Sequence, residues 1–82
     1  MTIEAKFFSS DIAGRLRDGI YELAENATVL SLMDAAVDEA GIEFSEEKKR
    51  NFVFIYNNSP AYADTELSDG GKLRILYKIT GG

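Results

Sequence analysis

The sequence predicts an α+β domain in which a mixed sheet of about five strands carries one main helix on a single face. Three observations lead there. Both ends of the chain alternate apolar and polar residues with a period of two, as strands do when one face lies in a core and the other in water. Between them, the stretch from Val29 to Ala40 changes to a period of 3.6, as an amphipathic helix does. After it, Phe52 to Tyr56 is an uninterrupted apolar run of strand length, apolar on both faces and so expected at the centre of the sheet.

At the start of the chain Ile3, Ala5 and Phe7 share one face, and Glu4 and Lys6 the other. Phe8 continues the strand on the polar face, where a large aromatic is out of place. Ser9 to Gly19 is polar, with Gly14 and Gly19 around Ile12 and Leu16, and reads as a long loop with room for one helical turn after Ser10 or Asp11. Ile20 to Ala24 reads as a second strand with Tyr21 and Leu23 inward. Glu25-Asn26 then makes a turn, and Asn26 suits left-handed φ.

Thr28 is the expected N-cap of the helix. Its apolar stripe is Val29, Met33, Ala36, Val37 and Ala40, widened by Leu30 and Leu32, with Asp34, Asp38 and Glu39 off it. Gly41 stands where a helix ends. This stripe is core rather than a cofactor box. Ile42 to Asn51 is a polar crossover in which Ser45 caps one short turn, and Lys48-Lys49-Arg50 reads as a solvated face beside Glu46 and Glu47.

After the Phe52 strand, Asn57 to Pro60 makes a turn. Ala61 to Ala63 is a short edge strand, and Leu67 in the following loop is expected to be buried. Asp69-Gly70 is a pair that favours a hairpin, because glycine accepts positive φ without a Cβ clash. The last strand then places Leu73, Ile75, Tyr77 and Ile79 inward and Lys72, Arg74, Leu76 and Lys78 outward. Phe7, Leu23, Val29, Met33, Val37, Leu67, Leu73 and Ile75 are the expected core between helix and sheet.

An 82-residue chain suits one small domain, taken as residues 1–80, with a flexible tail at 81–82. With 45% hydrophobic and 28% charged residues, the chain is globular rather than disordered. No apolar run approaches the ~20 residues of a membrane span. The first residues carry Glu4 and no long apolar stretch, unlike a signal peptide, so a cytoplasmic location without membrane association is expected.

Cysteine and histidine are both absent, which excludes disulfides, thiolate nucleophiles, Cys/His zinc sites and imidazole bases. The net charge of −5 weighs against non-specific nucleic-acid binding, which needs an excess of Lys and Arg to neutralise phosphates. Catalysis by this chain's own side chains is therefore not expected, nor is a bound metal or cofactor.

Thr80-Gly81-Gly82 has two readings. One is a frayed end or the remnant of an expression vector. In the other the terminal carboxylate is itself the reactive group. Two residues without side chains thread a narrow channel, and three extended residues reach roughly 10 Å.

The order of elements, the size and the Gly-Gly end resemble the β-grasp sulfur carriers and ubiquitin-like proteins, and the resemblance covers essentially the whole chain. Within that group the chain is most similar to the small subunits of molybdopterin synthase. Lys6-Phe7-Phe8, the stretch Glu22 to Val29, Asn57, Asp64, Leu67, Asp69-Gly70 and Thr80-Gly81-Gly82 carry the likeness. Three positions depart from it. Tyr77-Lys78 stands where the family often has prolines, Ala24 and Asn26 where it often has Pro and Gly, and Pro60 where relatives tend to carry an aliphatic residue.

The resemblance implies a β-grasp fold and a co-substrate rather than an enzyme. An adenylating enzyme of the ubiquitin-activating type would use ATP to activate the Gly82 carboxylate. A sulfur donor protein would convert it to a thiocarboxylate, and a large catalytic subunit would hold Thr80 and Gly81 in a channel while sulfur passes to substrate. The resemblance also implies that Phe8, Pro60 and Leu76 form an apolar docking patch, and strand parity independently puts Phe8 and Leu76 on the non-core side. Carriers for thiamin or cysteine synthesis, a protein modifier conjugated through Gly82, and an interaction domain with an inert tail remain open alternatives.

Overall fold

The computed structural model describes residues 1–8, 16–42 and 52–77. The loop read at 9–15, the crossover at 43–51, Lys78, Ile79 and the tail Thr80 to Gly82 lie outside the described residues, as does the side chain of Tyr77.

Five strands and one helix follow in the order β1 (Thr2–Phe8), β2 (Gly19–Glu22), α1 (Val29–Ala40), β3 (Phe52–Tyr56), β4 (Ser59–Ala61) and β5 (Gly71–Tyr77). The sheet order is β2-β1-β5-β3-β4. β1 and β5 run parallel in the middle, and the β1–β2, β3–β5 and β3–β4 pairs are antiparallel. The mixed sheet with one helix is the expected architecture.

One core lies between helix and sheet. β1 contributes Ile3, Ala5 and Phe7, β5 Leu73 and Ile75, and β3 Phe52 and Phe54, against Val29, Leu32, Met33, Ala36 and Val37 of α1. Leu67 joins them from the connection before β5, and Phe7 meets Tyr21 edge-on at 6.5 Å between ring centres. Of the expected core, only Leu23 is less than buried, because β2 stops at Glu22 and not at Ala24. Leu23 still exchanges two backbone hydrogen bonds with Met1, Leu23 N–H to Met1 O at 2.9 Å and Met1 N to Leu23 O at 2.8 Å.

The helix ends are closed by local chemistry and by one remote loop. Thr28 is extended (φ −108°, ψ 174°), its Oγ1 accepts from Ser31 N–H, and Ser31 Oγ accepts from Thr28 N–H, a reciprocal cap. Two further N–H groups at this end have no partner within the helix. They donate across the fold, Val29 to Thr65 O at 3.0 Å and Leu30 to Ala63 O at 2.9 Å. At the other end Gly41 takes φ 68°, which an L side chain adopts only with strain.

Four local readings change in the folded chain. Asn57 and Asn58 both take positive φ (50° and 67°) and make a two-residue hairpin, so Pro60 sits within β4 and not in the turn. An edge strand tolerates it, since one side of its backbone needs no ladder partner. β4 accordingly runs Ser59–Ala61 and not Ala61–Ala63. Asp69-Gly70 turns the chain, with Gly70 at φ 81°, but it closes no hairpin: β5 pairs with β1 and β3, and not with β4. Lastly, β3 has neighbours on both sides, yet the middle strand is β5, and Val53 on the outer face of β3 is exposed.

Side chains from distant segments fix the entry to β5. Asp69 Oδ1 accepts from Thr2 N–H at 2.6 Å, and Gly70 N–H donates to Thr2 O at 2.8 Å. Tyr56 Oη accepts from Ser68 N–H at 2.7 Å and lies over Gly71, where any Cβ would collide with the phenol ring.

Candidate partner-docking face

The face of the sheet away from α1 is built by strand parity. On β1 the residues that alternate with Ile3, Ala5 and Phe7 are Thr2, Glu4, Lys6 and Phe8, all exposed. On β5 the outward set is Lys72, Arg74 and Leu76. On β3 it is Val53 and Ile55.

Register then sorts these residues into rows. Phe8 stands opposite Leu76, and Leu76 opposite Val53, so three apolar side chains cross three adjacent strands. Phe8 is 39% exposed, Val53 45%, and Leu76 half-buried between them. The next row is Lys6, Arg74, Ile55 and Pro60, each opposite its neighbour. Beyond that, Glu4 faces Lys72 and Ile20.

Phe8 and Leu76, both picked out in the sequence, are thus direct neighbours. Pro60 is exposed on the same face but one row removed, beside Ile55. Gly82, Thr80 and Gly81 lie outside the described residues. Sequence reasoning missed Val53, and with it Tyr62, which follows β4 and is 69% exposed. Both line a groove of about 360 Å³ with Pro60 and Ala61. The signal was the alternation of Val53 with the two phenylalanines, which says that one of the two apolar faces of β3 points away from the helix.

Charge is distributed unevenly about this face. Lys6, Lys72 and Arg74 are exposed on it, and Arg74 Nη2 donates to Asn58 Oδ1 at 2.6 Å. Elsewhere Arg17 bridges β2 and the end of α1. Its Nε bonds Glu39 at 2.8 Å, which holds the guanidinium above its ordinary pKa, and its charge lies 4.3 Å from the centre of the Tyr21 ring. Burial pushes the Tyr21 phenol up, and its hydroxyl donates to Arg17 O at 2.6 Å. The hydrogen bond from Thr2 N–H holds the Asp69 carboxyl below its usual range. Among the described residues no three Asp or Glu side chains come together as a metal site would require, and no helix is long and apolar enough to cross a membrane.

No protein-family model and no curated protein sequence matches the chain. Solved structures do. The small archaeal modifier protein 1 of Haloferax volcanii superposes with a TM-score of 0.77 at 22% identity over 100% of both chains. A putative molybdopterin converting factor subunit 1 from Pyrococcus furiosus gives 0.69 at 19%, over 95% of this chain and 98% of that one. A chain from the complex of subunits 1 and 2 of the molybdopterin-converting factor of Helicobacter pylori gives 0.55 at 22%, over 100% of both. Identities of this size carry the fold alone, and over the whole chain that fold is the ubiquitin-like β-grasp.

Proposed function

We propose that the chain is a sulfur carrier whose Gly82 carboxylate is adenylated and converted to a thiocarboxylate, and that it serves molybdopterin synthesis as the small, non-catalytic subunit of the synthase. The observation that carries the reading is the end of the sheet. β1 and β5 run parallel with Phe8 opposite Leu76 as their last pair, so β5 ends at Tyr77, next to the row of Phe8, Leu76 and Val53. A partner bound to that row lies within reach of the tail, since five extended residues span up to about 17 Å.

The chemistry follows from a carboxylate's poor electrophilicity. An adenylating partner of the ubiquitin-activating type joins AMP to the Gly82 carboxylate with loss of pyrophosphate from ATP; sulfide-level sulfur released by a donor protein then forms the C–S bond as the bond to AMP breaks, and AMP leaves. The large subunit supplies the channel, the orientation and the substrate site. With no Cys or His, this chain contributes the Gly82 carboxylate oxygen that attacks ATP and, once loaded, the thiocarboxylate sulfur, while the acid–base groups belong to those partners. The similarity to a molybdopterin-converting factor seen in complex with its second subunit supports this reading.

The tail is the test. Deleting Gly82 withdraws the carboxylate by about 3.5 Å, and a displacement of ~1 Å already costs on the order of a hundredfold in a positioned reaction. Gly81→Val puts a branched side chain against the channel wall, and one residue added after Gly82 moves the carboxylate to the wrong residue. All three changes leave the melting temperature almost unchanged and abolish sulfur loading. Intact-mass spectrometry checks this, as the mass difference between sulfur and oxygen. Loading of the extended or the Gly81→Val chain would overturn the need for a Gly82 carboxylate in a narrow channel, and a wild-type chain that takes up no sulfur would leave an interaction domain with an inert tail.

The similarity to an archaeal modifier protein favours one second reading, conjugation through Gly82 to another protein. The same spectra separate the two, because conjugation produces much heavier species.

A further inference from the structure

On the face away from the helix, Lys6 of β1 and Arg74 of β5 stand directly opposite each other, and Lys72 is the next outward residue on β5. Like charges placed directly opposite in a sheet destabilise it. None of the three forms an ion pair among the described residues, and Glu4, although opposite Lys72, forms none with it. They line a small recess of about 190 Å³ with Glu4. Three of the four cationic side chains among the described residues therefore crowd one face of a chain whose net charge is −5. Glu4 and, on β2, Glu22 share this face, while Asp34, Asp38 and Glu39 are exposed on α1 and Asp64, Glu66 and Asp69 in the connection to β5.

The facing Lys6 and Arg74 cost the fold stability, whereas a docked partner gains from them. Phe8 is the next outward residue after Lys6, and Leu76 the next after Arg74, so the cationic group borders the apolar row on the same two strands. Arg74 is held in place by Asn58 and keeps further donors for a partner.

We infer that this face fits a partner surface in which an apolar recess receives Phe8, Leu76 and Val53 and is flanked by carboxylates on the side of Lys6, Lys72 and Arg74. The inference rests on the carrier reading above and adds the chemistry of the partner. A surface of that kind attracts this face and repels the acidic remainder of the chain, so the encounter is oriented before contact.

The experiment is stopped-flow association of the chain with the adenylating enzyme of the same organism. Ionic strength is varied from about 0.01 M, where the Debye length is about 30 Å, to 0.15 M, where it is about 8 Å. Wild type is compared with Lys6→Gln/Lys72→Gln, which keeps the Arg74–Asn58 bond, and with Lys6→Gln/Lys72→Gln/Arg74→Gln. The triple variant is expected to associate about tenfold more slowly at low salt. The double variant falls between, dissociation rates change little, and the difference narrows as salt rises. The double variant melts no lower than wild type, because the repulsion between Lys6 and Arg74 has been relieved while the Arg74–Asn58 bond is kept. If the variants associate as fast as wild type while Phe8→Ala still weakens the complex, the carrier reading stands and the acidic surround is wrong. If no complex forms with wild type either, the carrier reading falls and takes this inference with it.

Discussion

Asp69 shows how one exposed side chain ties the two central strands together. Its Oδ1 takes the backbone N–H of Thr2 at the start of β1, while Gly70 next to it donates to Thr2 O at the entry to β5. The hydrogen bond from Thr2 N–H lowers the Asp69 pKa in the folded chain, so the unfolded chain binds its proton more readily. The group therefore adds stability above its unfolded pKa of about 3.9, and loses it as pH falls through the depressed folded value. Asp69→Asn keeps an oxygen acceptor and removes the charge. We expect it to be less stable than wild type at neutral pH, with the gap closing below about pH 4. Urea unfolding across that range checks it, and a gap that persists in acid would assign the effect to geometry rather than charge.

At the scale of the element, α1 is specified at both ends by residues next to it, and at its start also by a loop far along the chain. The Thr28–Ser31 cap is local, whereas the partners of Val29 and Leu30 come from Ala63 and Thr65. Thr28→Ala should lower stability by about 1 kcal/mol, the ordinary cost of losing a side-chain N-cap. Because the cap lies on the helix side of the sheet, the variant should load sulfur at the wild-type rate once folded. Thermal unfolding gives the first quantity and a loading assay the second. A loss of loading at full foldedness would mean that α1, and not only the open face, meets a partner.

For the whole molecule, the fold divides labour between its two sheet faces. One is filled by the helix and holds the chain together. The other leaves Phe8, Leu76 and Val53 in one row, next to Tyr77 at the end of β5. Contiguous apolar rows of this kind mark interfaces. Phe8→Ala and Leu76→Ala should each fold normally and weaken binding to the adenylating enzyme and to the large subunit by more than about 1 kcal/mol, as truncation of an interface anchor does. Val53→Ala should join them, and calorimetry measures all three. Unchanged affinity in every variant would place the interface elsewhere.

What the sequence by itself determined is everything that a local period or a local cap can state. The alternation in β1 and β5 names their buried and open faces before any partner strand is known, because successive side chains of a strand point oppositely. Thr28, Asn26 and Gly41 declare the limits of the turn and helix through their own backbone preferences. Which strands become neighbours was not legible, since pairing between remote segments is chosen by how the whole chain buries its helix-facing side chains. Only the tertiary structure could put β5 rather than β3 in the middle and make Asp69-Gly70 a turn without a hairpin. It alone set Val53 beside Leu76 and Lys6 against Arg74. Local patterning decided which side of the sheet each residue faces, and long-range register decided which residues on that side stand together.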